Sequence, residues 1–210
     1  MRIERIEPSK HKKDRVLVFL EGGELLKITE NELLRYDLRP DGELTEELLE
    51  EIKKSAAVSE MKARGARLTG SRMLSKKQVV EYLTRRGGDR EAAEDTALWL
   101  EDLGAVDEEA YGLAVVRHYG AAGYGAGRVR QELSRRGVPR ELWEELLLQL
   151  PPAEEAVECF VQSKCKSKQP DKEQLRKLSA ALQRRGFSWQ EMEPVFRRLE
   201  AEAIENETLE

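Results

Sequence analysis

The sequence predicts a mainly α fold: three tandem three-helix repeats in an elongated curved array, preceded by a small N-terminal antiparallel β-hairpin or meander with helices. Three observations carry this reading. The fragments LTRRGG (83–88), LSRRGV (133–138) and LQRRGF (182–187) place Gly87, Gly137 and Gly186 at spacings of 50 and 49 residues. A leucine follows each glycine by 13 residues, at Leu100, Leu150 and Leu199. Runs rich in β-branched and apolar residues occur only near the start, around Gly22-Gly23. A recurring helical unit of about 50 residues is a repeat architecture, in which thin cores are completed by stacking neighbours.

The first 52 residues read as a β-hairpin plus helix extension. RIERI, then runs over 15–20 and 24–28 on either side of Gly22-Gly23, predict strands; the two glycines supply the positive φ a tight hairpin needs. TENE at 29–32 is a capping box of Thr29 and Glu32. Pro40, Asp41 and Gly42 make a turn, and Thr45 caps EELLEEIKK, whose Leu48, Leu49 and Ile52 form one apolar face. Repeat 1 is assigned to 53–102, repeat 2 to 103–150 and repeat 3 to 151–210. The leading helices cover roughly 50–68, start at Asp107, and follow Pro151-Pro152. Each second helix ends at RRG, with paired apolar positions at Val79 and Leu83, Val129 and Leu133, and Leu178 and Leu182. Ser75 with Gln78 forms a capping box at the start of the first of these. Third helices start at Asp89, Pro139 and Ser188, and Ser188 pairs with Glu191. Leu146 and Val195 correspond, whereas Thr96 breaks the apolar pattern.

Composition narrows the function. Charged residues make up 37% and aromatics 6%, with a net charge of −5 and a mean hydropathy of −0.65. Residues 1–52 hold 9 Lys and Arg against 14 Asp and Glu, so they carry the whole deficit and the remainder balances. That balance argues against a dedicated duplex-DNA binder, which needs a basic excess to displace counterions. Cys159 and Cys165 match no zinc spacing, His11 and His118 are the only histidines, and no carboxylate pair stands in an apolar setting. GYGAGR (123–128) lacks the Lys-Ser/Thr of a phosphate loop and reads as a flexible connector; KCKSKQPDK (164–172) reads as a solvated basic linker. No enzyme, metal or cofactor is expected. MRIERIEPSK has no apolar signal core, and no apolar run approaches the roughly 20 residues that span a bilayer. A cytoplasmic protein follows as the expectation.

Two compatible readings of RRG stand. The glycine is the usual left-handed helix stop, and arginines in the last turn complement the negative end of the helix dipole. Three recurring Arg pairs also predict a basic track for phosphates or an acidic protein face. The candidate contact residues are Arg72, Lys76, Lys77, Arg85, Arg86, Arg117, Arg128, Arg130, Arg135, Arg136, Arg184 and Arg185. Trp99, Trp143 and Trp189 fall in the third helices and read as packing residues.

The chain resembles the RecX family of bacterial regulators of the RecA recombinase. The likeness rests on LTGSRMLSKKQVVEYLTRRG (68–87), LEDLGAVDEEAYGLAVVR (100–117), GAGRVRQELSRRGV (125–138) and LQRRGFSWQEMEPVFRRL (182–199). Leu68, Arg72 and Ser75 carry its first pattern; Leu103, Gly104, Asp107 and Glu108 its second; Gly125, Arg128, Val129, Glu132 and Leu133 its third. Ala105, Val115 and Tyr119 depart from it, as does Gly88, where an apolar residue is usual. The resemblance implies a non-enzymatic monomer that binds the RecA filament on single-stranded DNA, lodges in its groove, and suppresses strand exchange and ATP hydrolysis. A stand-alone helical-repeat nucleic-acid-binding protein is the alternative.

Overall fold

The N-terminal sheet follows the alternation of its strands. Strand β1 spans Ile3–Pro8, β2 Arg15–Leu20 and β3 Leu25–Thr29, paired antiparallel in that order. In β2, Val16, Val18 and Leu20 point into the core, and Val18 sits between Ile6 and Leu26 in register. Gly22 and Gly23 turn the hairpin with φ of 91° and 85°. The computed structural model describes residues 1–165 and 171–207, with side chains to residue 201.

Two helices support the sheet. Helix α1 (Glu30–Arg35) starts in the Thr29–Glu32 capping box. Glu32 is buried, and its carboxylate also accepts hydrogen bonds from Ser55 and Ser59, at 3.1 and 2.6 Å. Those serines belong to α2 (Glu46–Thr69), which Thr45 caps. The division read at 52/53 falls inside this one 24-residue helix. No Pro interrupts 46–69, and Ser55, Ser59 and Gly65 lie inside the helix, the serines bonded to Glu32 and the glycine packed on Leu100 and Thr96. Leu49 and Ile52 of α2 join the sheet core, while Met61 and Gly65 lie further along on the repeat's side.

Helices α3 (Lys76–Arg85) and α4 (Arg90–Asp102) complete the first repeat. A Cβ on Gly65 would stand 2.9 Å from Leu100 and 3.3 Å from Thr96, so glycine sets the close approach of α2 to α4. Thr96 is fully buried despite breaking the apolar pattern; its hydroxyl donates to the Ala92 carbonyl at 2.7 Å, which removes the cost of burying it. Gly88 also has a reason. A Cβ there would meet the Met61 methyl at 2.9 Å, so a methionine from α2 fills the space an apolar residue would take.

The chain groups into two compact units: Met1–Arg72 with Val79–Ala105, and Met73–Gln78 with Val106–Glu210. In the second, α5 (Glu108–Ala121) and α6 (Ala126–Arg136) pack around Val116, Val129 and Leu133. The third helix of this repeat is short: a 3-10 turn, Arg140–Leu142, leads into α7 (Trp143–Leu147). Leu146 still reaches the core, and Trp143 Nε1 donates to the Val138 carbonyl at 2.9 Å. Helices α8 (Ala153–Lys164), α9 (Lys172–Arg184) and α10 (Trp189–Glu207) enclose Val157, Leu182, Met192 and Phe196. The basic stretch read at 164–172 falls mostly on 166–170, outside the described residues.

Candidate functional site

Two of the three Arg-Arg-Gly turns, both in the second unit, form joints with the start of another helix. A helix end leaves backbone carbonyls unpaired, and a helix start leaves amides unpaired. At the end of α6, the Arg136 carbonyl accepts from Ser75 Oγ at 2.5 Å and the Arg135 carbonyl accepts from Lys77 Nζ at 3.0 Å. The start of α3 is thus docked on the end of α6, and the Lys76 amide donates to Glu108 at 2.7 Å. Fifty residues on, the contact recurs with backbone partners. The Gly125 amide donates to the Arg185 carbonyl at 2.9 Å, and the Gly127 amide to the Gly186 carbonyl at 3.0 Å. Opposite dipole ends meet at both joints.

This geometry corrects the reading of GYGAGR as a flexible connector. A Cβ on Gly125 or Gly127 would lie 2.7 or 2.8 Å from the Gly186 oxygen, so these glycines admit the neighbouring turn. Gly137 and Gly186 have φ of 80° and 91°, as a left-handed cap requires. Gly186 is also pressed against the Arg128 backbone. Gly87 has φ of 82° and open space around it.

The arginines of the three turns differ in environment. Arg185 Nη1 donates to the Ala122 and Gly123 carbonyls at 3.0 and 3.1 Å, and its guanidinium lies 4.8 Å from the Phe160 ring centre. Arg135, Arg136 and Arg128 converge on Glu132, whose side chain is 5% exposed, at 2.7, 3.5 and 3.0 Å. Burial pushes the Glu132 carboxyl up, but hydrogen bonds from Arg135 and Tyr119 outweigh it and hold the group below the usual carboxylate range. Burial likewise opposes the Arg136 charge, and hydrogen bonds with Tyr111 and Tyr119 outweigh that. Tyr119, a departure from the family pattern, is thereby built into this network. Arg85 is exposed and bonds back to the Glu81 carbonyl at 3.1 Å. Arg86 is exposed and stands 5.4 Å from the Tyr82 ring centre. Arg72, Arg117, Arg130 and Arg184 are exposed, and among the described residues none of them pairs with a carboxylate.

A second basic group escaped the sequence reading. In the first unit, Glu60 of α2 is shared by Lys12 at 3.2 Å, Arg64 at 3.1 Å, Arg67 at 3.8 Å, and Arg15. Burial pushes its carboxyl up, but Arg64, Lys12 and Arg15 together hold it below the usual range. Next to it, Arg64, Arg67, Leu68, Ser71, Tyr82 and Arg86 line a cavity of about 590 Å³. Another, of about 630 Å³, shares Arg64 and includes Lys12, Arg15 and Lys27. These cations lie up to 74 positions apart between Lys12 and Arg86, and the first of them sit in the acidic segment, so no local pattern announces the group.

The fold defines a helical-repeat protein with clusters of basic side chains. No helix among the described residues is long and apolar enough to cross a membrane, and no group of three His, Cys, Asp or Glu among them could hold a metal ion. Residues 107–147 match the family pattern described as RecX, second three-helix domain. The chain is 30% identical over 138 residues to the Regulatory protein RecX of Pelodictyon phaeoclathratiforme, covering 63% of this chain and 84% of that one. It is 26% identical over 176 residues to the Regulatory protein RecX of Caldanaerobacter subterraneus subsp. tengcongensis, covering 84% and 89%. A crystal structure of regulatory protein RecX superposes with a TM-score of 0.73 at 23% identity, over 91% of this chain and 97% of that one, which is a likeness of fold. The chain belongs to the RecX family.

Proposed function

We propose that this chain is a non-catalytic modulator of the RecA recombinase: it binds the RecA filament on single-stranded DNA and suppresses strand exchange and ATP hydrolysis. The observation that carries this reading is the 30% identity to a RecX regulatory protein across 84% of that protein's length. The joints support it physically. Within the second unit, helix ends satisfy one another's backbone groups, and many modest contacts from recurring helical units add up on a filament. The exposed cations Arg72, Arg85, Arg86, Arg117, Arg130 and Arg184 are the leading contact residues. Lys76, Lys77, Arg128, Arg135, Arg136 and Arg185 contribute through the joints and the Glu132 network as well as through their charge. The protein works in the cytoplasm as a monomer.

The test is a RecA ATPase and strand-exchange assay on single-stranded DNA with substoichiometric protein. Both activities are expected to fall, with the protein co-sedimenting with the filaments. Unchanged rates and no co-sedimentation would sink the reading. Tight binding to DNA alone, with a steep salt dependence, would favour the stand-alone nucleic-acid-binding alternative.

A further inference from the structure

We infer that the cavity between α2 and α3 in the first unit binds the backbone of single-stranded nucleic acid, with Arg64, Arg67 and Arg86 taking phosphates and Tyr82 stacking on a base. The charge argument comes first. No carboxylate lines this cavity. The nearby Glu60 is shared among four cations, so the group stays positive although the chain carries a net charge of −5. A positive concavity on an acidic protein concentrates anions where the field is focused.

The shape of the donors comes second. Arginine forks match phosphate oxygens two bonds at a time. Arg67 keeps its side chain 60% exposed, and Arg86 is exposed, so both reach solvent. Ser71 also lines the cavity, its hydroxyl donating to the Leu68 carbonyl at 2.7 Å. The neighbouring cavity continues the positive lining through the shared Arg64 to Lys12 and Lys27. An extended strand therefore has a second set of cations to follow.

The aromatic ring selects the strand. Tyr82 is half-buried and the exposed Arg86 guanidinium lies over its ring, 5.4 Å from the centre; turning that side chain to a phosphate frees the face for stacking. An unpaired base can lie on that face. A base inside a duplex cannot, and a run of Asp and Glu has no ring to place there. The inference deepens the filament reading by naming where the chain meets the strand.

The test omits RecA, so that this site and the filament reading fail separately. Binding of a fluorescein-labelled oligothymidylate of about 30 nucleotides is followed by anisotropy at low salt. Arg67→Glu with Arg86→Glu is expected to weaken binding by about tenfold or more and to flatten the log–log salt slope by about 1.4, two phosphates' worth. Tyr82→Ala is expected to weaken it by about fivefold while leaving binding of inorganic polyphosphate unchanged. Lys177→Glu with Arg197→Glu makes the same charge change in the other unit and should cost no more than about twofold by bulk charge. Should the pocket pair lower the melting temperature, Arg67→Gln with Arg86→Gln carries the comparison. Equal losses from pocket and control pairs, or no binding to the oligonucleotide, would overturn the inference. So would polyglutamate competing as well as the oligonucleotide charge for charge, or a duplex competing better.

Discussion

Gly87, Gly137 and Gly186 share one local role, and the structure separates what each is worth. All three turn the chain through positive φ, which costs an alanine about 1 kcal/mol. Gly87→Ala should therefore lose about that much in urea denaturation, since nothing lies near its added methyl. Gly186→Ala should lose about 3 kcal/mol or more, because the methyl must displace the Arg128 backbone and open the joint. Similar losses at the two sites would count against the joint. Glu132→Gln is a second residue-scale prediction. It keeps shape and hydrogen-bonding capacity but removes the charge shared by Arg128, Arg135 and Arg136, and a loss of about 2 kcal/mol is expected by the same measurement.

At the scale of elements, α2 does two jobs. Its first half closes the sheet through Leu49 and Ile52, and its second half packs on α4 through Gly65. Ile52 is fully buried, so Ile52→Ala should cost about 3 kcal/mol. Because the helix is continuous, hydrogen exchange should accelerate in its second half as well as in the sheet; protection lost from the sheet alone would show two independent helices. Element starts were legible in the sequence, because a cap is an exchange between residues three apart: Thr29 with Glu32, Ser75 with Gln78, Ser188 with Glu191. Helix length was less legible. Repeat 2 breaks its third helix into a 3-10 turn and a short α7, although the spacing of Leu146 and Leu150 suits a regular helix.

For the whole molecule, three carboxylates set the acid limit. Glu32, Glu60 and Glu132 are each held below the ordinary 4.5, despite burial, by the groups that bond them. Their contribution is complete above that value and is lost as pH falls through the lower folded-state values. Urea midpoints should therefore be nearly flat from neutral pH down to about 5 and drop progressively below about 4.5. A fall that began near pH 6 would point away from these groups. The sequence by itself determined the helical class, the sheet at the start and the helix caps, because those depend on neighbours a few residues apart, and the 50-residue rhythm, because each unit repeats the same local pattern. Only the tertiary structure decided that two of the three RRG turns are joints, that GYGAGR receives one of them, and that Lys12, Arg15, Arg64, Arg67 and Arg86 gather in one unit. Those outcomes depend on which distant helix ends come to satisfy each other's backbone groups, and contacts across 50 or more residues leave no local mark on the chain.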